Sequence, residues 1–429
     1  MKKLLLTTVI IVMLLNANAQ FVCSCLPDGI TFTTQAQIDS FPINYPGCTE
    51  IEGSVAIGDW QTYNITNLNG LNSITTIGGN LYVSHTSLVD LSGLENLIRI
   101  DSSVTISMNP LLNSLSGLSS LESIGSDFSV GSWWGGNNAL SSLNGLGTLE
   151  SIGGDVRVGH NSLISFSGID KLSSIGGDLI ISEDSLNSLD GLQALETING
   201  SLSLGLMDDT WIGPHCHGNP FLEDITGLQN LQSIGGDLLL YGNGLLTDLS
   251  GLDNITSING NVVIGGRSVE GDPGGNGSLV SLNGLENLTV IHGNLFIAEN
   301  PSLQNFEGLN NLENISGDFN LIAGESQLNC AGLDDLETVG GSVIITTYYN
   351  NPTLESLTGL ESLLSIGQDL IIKNNASLLS LDGLDNLLNI GGDLTITDNY
   401  SLSQCNLGPI CNYLLNPGGI VRIYDNGRS

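Results

Sequence analysis

The chain has 429 residues, with 9 Lys and Arg against 44 Asp and Glu and a net charge of −35. So acidic a surface repels phosphate backbones and anionic lipid heads, which makes nucleic acid and membranes poor partners and leaves calcium or a cationic partner as attracted species. Its 7 cysteines fit an oxidising compartment.

Taken in chain order, residues 1–19 read as a signal peptide. Lys2 and Lys3 precede the apolar stretch Leu4 to Leu15, and Ala17-Asn18-Ala19 is a small-residue cleavage site. The stretch is too short for a membrane span, so an exported, soluble protein is expected, secreted or at the cell surface. Residues 20–53 read as an N-terminal cap, with a short helix over 33–41 behind a Thr N-cap. Cys25 and Cys48 are the expected disulfide of this segment. Cys216 and Cys330 lie too many turns apart to pair.

From 54 to 404 one pattern repeats. The Gly of a Gly-Leu pair (Gly-Ile once) falls at 70, 93, 117, 145, 168, 191, 227, 251, 284, 308, 332, 359 and 383. Each copy offers three short apolar runs. Around Gly251 they are Leu246 to Leu249, Ile255 to Ile258 and Val262 to Ile264, all expected as strands. A period in the twenties predicts a solenoid whose coils bury an aliphatic column only when stacked.

Two polar positions recur. Before the third run stand Asp127, Asp155, Asp178, Asp237, Asp318, Asp369 and Asp393, with Asn or Ser in the other copies. A carboxylate ladder invites calcium, but the Asn and Ser copies favour turns that satisfy their own backbone amides. After the third run come Asn109, Asn161, Asn243, Asn300, Asn351, Asn375 and Asn399, expected as left-handed corners with stacked amides.

Insertions break the period at Gly131 to Gly136, Gly205 to Pro220, Gly265 to Gly277 and Thr347 to Asn350, always directly after the third run. On a solenoid that phase is one edge. The insertions hold Trp133, Trp134, Trp211, Arg267, Tyr348 and Tyr349, which are the candidate binding residues as aromatic platforms for a glycan or a protein partner. The alternative is that each ring packs back on the rod. His215, Cys216 and His217 are weak candidates for zinc or copper, because adjacent ligands rarely converge on one ion. Neither a metal nor another cofactor is expected. Residues 405–429 read as a C-terminal cap, a helix over Cys405 to Leu415 and a last strand over Ile420 to Tyr424.

With its Leu-x-Gly-Leu-x-x-Leu-x-Ser-Ile-Gly-Gly-Asp-Leu-x-Ile repeat, its lead-in around Tyr45-Pro46-Gly47-Cys48 and its exit around Ile410-Cys411-Asn412-Tyr413-Leu414, the chain resembles the receptor L-domain-like family over roughly residues 50 to 425. Exported bacterial proteins with this repeat are the nearer likeness. The resemblance implies an all-β fold, a right-handed parallel β-helix-like solenoid with leucine-rich repeats, about 13 coils of ~24 residues and capped ends. It also implies a non-catalytic binding or adhesion module. The alternative is a β-helical polysaccharide lyase or hydrolase. Against it, the few basic residues (Arg99, Arg157, Arg267, Lys171, Lys373, Arg422 and Arg428) are scattered, and no carboxylate pair departs from the repeat.

Overall fold

The structure is a computed structural model and describes residues 24–131, 135–210, 213–266, 274–322, 326–347, 353–403 and 407–427. The signal-peptide reading at 1–19 falls outside them, as do Cys23, Asn351 and Cys405.

A coil begins with a run in which every third residue is apolar. Leu246, Leu249, Leu252, Ile255 and Ile258 are all buried. A spacing of three is not that of a strand, whose faces alternate every two residues. The chain bends instead through successive tight turns: the Leu252 amide donates to the Leu249 carbonyl at 3.1 Å and Ile255 to Leu252 at 2.9 Å. At Asn69–Leu71, Ser116–Leu118 and Thr226–Leu228 the same turn tightens into one 3₁₀ turn. The first apolar run is therefore a chain of turns, correcting its reading as a strand.

The other two runs form sheets. Pairs such as Ser257–Ile258 stack into a 15-stranded parallel sheet, and longer segments such as Val262–Ile264 into a 16-stranded one. Stacking is in register, with Leu240 beside Ile264 and Ile264 beside Ile297. The result is a right-handed β-helix-like solenoid of about 15 turns. That exceeds the thirteen Gly-Leu copies because Ser24–Cys25, Ile30–Phe32, Glu50–Ile51 and Val55–Ile57 form rungs ahead of the first one. Each buried Leu or Ile contributes roughly 1.5–3 kcal/mol, and no coil collects that contribution alone. The Gly of the repeat is dictated by this stacking. Gly93 has φ +114° and lies so close to the coil before it that a Cβ would sit 2.2 Å from the Leu68 carbonyl oxygen.

The Asp, Asn and Ser positions before the third run do not serve their own turns. Each side chain accepts the backbone N–H of the equivalent residue in the next coil: Asp155 donates to Asp127 Oδ1 at 2.9 Å, Asp178 to Asp155 at 2.8 Å and Ser201 to Asp178 at 2.7 Å. The series is unbroken from Ser54 to Ile420. At this corner both the N–H and the C=O point to the coil before; Asp127 donates to Ser103 Oγ at 3.2 Å and accepts from the Val104 amide at 2.8 Å. The preceding backbone thus offers no acceptor, and a short side chain supplies one.

The Asn series runs the opposite way. The Asn109 amide donates to Asn137 Oδ1, Asn137 to Asn161, and Asn243 to Asn276, at 3.1–3.2 Å. Each Nδ2 also reaches back to a strand carbonyl of the coil before, as Asn276 does to Leu240 at 3.1 Å. Left-handed backbone belongs to the residue before the Asn, such as Met108 (φ +56°) and His160 (φ +58°), which corrects its assignment to the Asn itself.

The N-terminal helix spans Gln35–Asn44, with Ile38 and Phe41 buried over the first coils. Thr33 and Thr34 stay outside it because Gln37 Oε1 accepts both their amides, at 2.7 and 3.0 Å. Cys25 and Cys48 form the expected disulfide, with Cα atoms 5.8 Å apart. The C-terminal helix is Gly408–Leu415; its Tyr413 hydroxyl donates to the Gly392 carbonyl, and Val421–Tyr424 pairs with Leu394–Thr397 as the last rung. Cys330 is unpaired and fully buried in the core, where burial, with Glu361 as a lesser cause, pushes its thiol up to about 12.

Candidate functional site

The outward residues of the 16-stranded sheet form one continuous row, because strands in register place equivalent side chains on the same face. It runs Thr105, Ser129, Arg157, Ile180, Ser203, Leu239, Val263, Phe296, Asn320, Ile344, Ile371. The first three are polar. From Leu239 onward the row is mostly apolar and half-buried. All four insertions leave from strands of this sheet: Phe128–Val130, Leu202–Leu204, Val262–Ile264 and Val343–Thr346. Three depart through a glycine in the left-handed region, Gly131 (φ +86°), Gly205 (+88°) and Gly265 (+80°), where other residues would be strained.

The longest insertion is a β-hairpin. Leu206–Thr210 pairs antiparallel with Gly213–His217, Leu206 opposite His217 and Thr210 opposite Gly213. His215, Cys216 and His217 are thus successive positions of one extended strand. Among the described residues no group of three or more His, Cys, Asp or Glu is placed to hold a metal ion.

Leu206, at the foot of the hairpin, walls a cleft of about 240 Å³ on the sheet face. Its floor is Thr105, Ser129, Arg157 and Ile180, and its rim is Gly131, Gly159, His160 and Ser182. Arg157 Nη2 lies 2.6 Å from Asp155 Oδ2, and His160 Nδ1 lies 2.7 Å from Glu183 Oε2. The cleft therefore presents a guanidinium and an imidazole each already paired with a carboxylate, beside three hydroxyls and an aliphatic patch. Such a surface suits hydrogen bonding to a neutral polar ligand better than capture of a bare anion.

Trp133, Trp134, Trp211, Arg267, Tyr348 and Tyr349 lie outside the described residues. The segments flanking them leave from one sheet, and the cleft adjoins two of these departures, at Gly131 and at Leu206. The sequence reading missed Thr105, Ser129, Arg157 and His160. Their signal is positional: the first three are the middle residue of an apolar-x-apolar third run, and the last is the corner after one.

The receptor L domain family profile matches residues 47–127 and 254–338. No curated protein matches the chain. The two matched regions are separate stretches of one continuous solenoid.

Proposed function

We infer, from the premise that this chain is receptor L-domain-like, that it is a non-catalytic binding module whose ligand docks along the insertion-bearing edge. The family and the Cys25–Cys48 disulfide both fit an extracellular location. The observation that carries the reading is the shared departure of the insertions from one sheet, with a cleft beside two of them. Trp133, Trp134, Trp211, Tyr348, Tyr349 and Arg267 are proposed as the contact residues, and a glycan or an extracellular protein as the partner. Rigid aromatic rings supply contact area at low entropic cost, and a hydroxyl-rich cleft supplies hydrogen bonds.

Replacing Trp133, Trp134 and Trp211 together by Ala is expected to weaken partner binding by about tenfold or more, the loss typical of buried aromatic anchors. The melting temperature should hardly move. A large fall in melting temperature would show that the rings pack against the rod, and the assignment would fail. Incubation with a polysaccharide panel should yield no new reducing ends. Release that disappears on removal of a single carboxylate would instead make the chain a glycan-degrading enzyme.

A further inference from the structure

Among the described residues, one rung inside the Asn series carries a carboxylate. Asp184 follows Asn161 and precedes Asn219, and its side chain is buried, with 3% of the residue exposed. Its Oδ1 plays the usual part, accepting the Asn161 amide at 2.7 Å. Its Oδ2 has no hydrogen-bond partner, and neither has Asn219 Oδ1 on the next coil. In the intact links the amide nitrogen occupies the place of that Oδ2 and donates forward to the next Oδ1: Asn109 to Asn137 at 3.2 Å, Asn137 to Asn161 at 3.1 Å, Asn219 to Asn243 at 3.2 Å and Asn276 to Asn300 at 3.1 Å. Two buried acceptors thus stand where the pattern requires a donor and an acceptor. One proton satisfies both, whereas leaving both bare costs about 1–3 kcal/mol for each group.

We propose that Asp184 is held as the neutral acid, with its proton on Oδ2 donated to Asn219 Oδ1, so that the rung beneath the hairpin is clasped while the proton is present and loosened when it leaves. The location gives this proton a lever. Asn219 stands two residues past the end of the hairpin strand Gly213–His217, and the Glu183 amide donates to the Gly218 carbonyl at 3.1 Å. The clasp therefore anchors the returning arm of the insertion that walls the cleft.

Burial is the main cause that pushes the Asp184 carboxyl up to about 7, opposed by the bonds from Asn161 and assisted by the charge of neighbouring Glu183. Among the described residues the charged and titratable groups beside it are Glu183 on its own coil and, through Glu183, His160 on the coil before. His160 is paired with Glu183. The sign follows from linkage. The folded state keeps a proton that the unfolded chain loses near 3.8, so the stabilisation is complete below about 3.8 and is lost as the pH rises through about 7.

The test needs no partner, so its failure is separate from failure of the binding assignment; only the link from clasp to ligand affinity rests on that assignment. D184N installs the residue that the series uses elsewhere, with its own permanent donor. Compared with D184N, the wild-type chain should show equal hydrogen-exchange protection over 206–219 near pH 5 and severalfold faster exchange near pH 9, with a melting temperature that falls behind by a few degrees over the same interval. H160Q should keep the difference, which separates Asp184 from the His160–Glu183 pair. Infrared spectra of the wild type near pH 6 should contain a protonated-carboxyl stretch that D184N lacks. Equal protection at both pH values, a D184N chain less stable than wild type near pH 9, or absence of that band would each overturn the proposal.

Discussion

A single asparagine shows how much one side chain can hold in this molecule. Asn276 accepts the Asn243 amide at 3.1 Å through Oδ1, while its Nδ2 reaches both the Leu240 carbonyl and Asn300 Oδ1 at 3.1 Å. It is fully buried, so removing it strands several groups away from water. N276L is expected to cost about 2–5 kcal/mol by urea denaturation, since each orphaned group carries about 1–3 kcal/mol. Asn254 makes a single exposed bond, from Nδ2 to the Gln229 carbonyl at 2.7 Å, and N254A should stay within about 0.5 kcal/mol. Equal costs for the two would mean that burial does not govern the series. Neither residue stood out in the sequence, where Asn276 falls inside the stretch Gly265 to Gly277 read as an insertion. Which of them is buried was not legible there, because Asn at the corner and Asn on the turn differ only in phase.

At the scale of elements the reading from sequence divides along physical lines. The third runs, such as Leu238–Leu240, alternate inward and outward and are strands as expected. The first runs mislead because two apolar residues three apart match the edge of a strand pattern as well as a chain of turns. Only the continuation of that spacing through Leu249, Leu252 and Ile255 separates the two. The phase of the insertions was legible, since it depends only on where the period breaks. The cleft was not, because Thr105, Ser129, Arg157 and Ile180 come from four coils and meet only through register. The N-terminal segment is tied by Cys25–Cys48, separated by 23 residues. Changing both to Ser should lower stability by about 3 kcal/mol in chemical denaturation, the loss expected for a loop of this size. A negligible change would show that the helix Gln35–Asn44 holds the end without the crosslink.

For the whole molecule, charge works against stacking. Asp127, Asp155 and Asp178 occupy equivalent places on successive coils, one strand spacing of ~4.8 Å apart, and acidic residues outnumber basic ones throughout. Their Oδ1 bonds to backbone amides offset the repulsion locally, and the remaining field is long-ranged. Raising the salt from about 0.01 M to about 1 M shortens the screening length from about 30 Å to about 3 Å, so the melting temperature should climb with added sodium chloride. A flat or falling response would mean that the carboxylates are already neutralised by bound cations.

The two side-chain series also fix what the molecule can become. One passes donors up the stack and the other passes them down, and both repeat with each coil. A block such as residues 228–251 can therefore be copied or excised, and the new neighbours still find a partner for each amide. The length of the rod is in this sense a counted quantity. Each added or deleted block changes the separation between projecting segments by one step of ~4.8 Å, giving selection, or an engineer, a ruler for reach that leaves the chemistry of either end untouched.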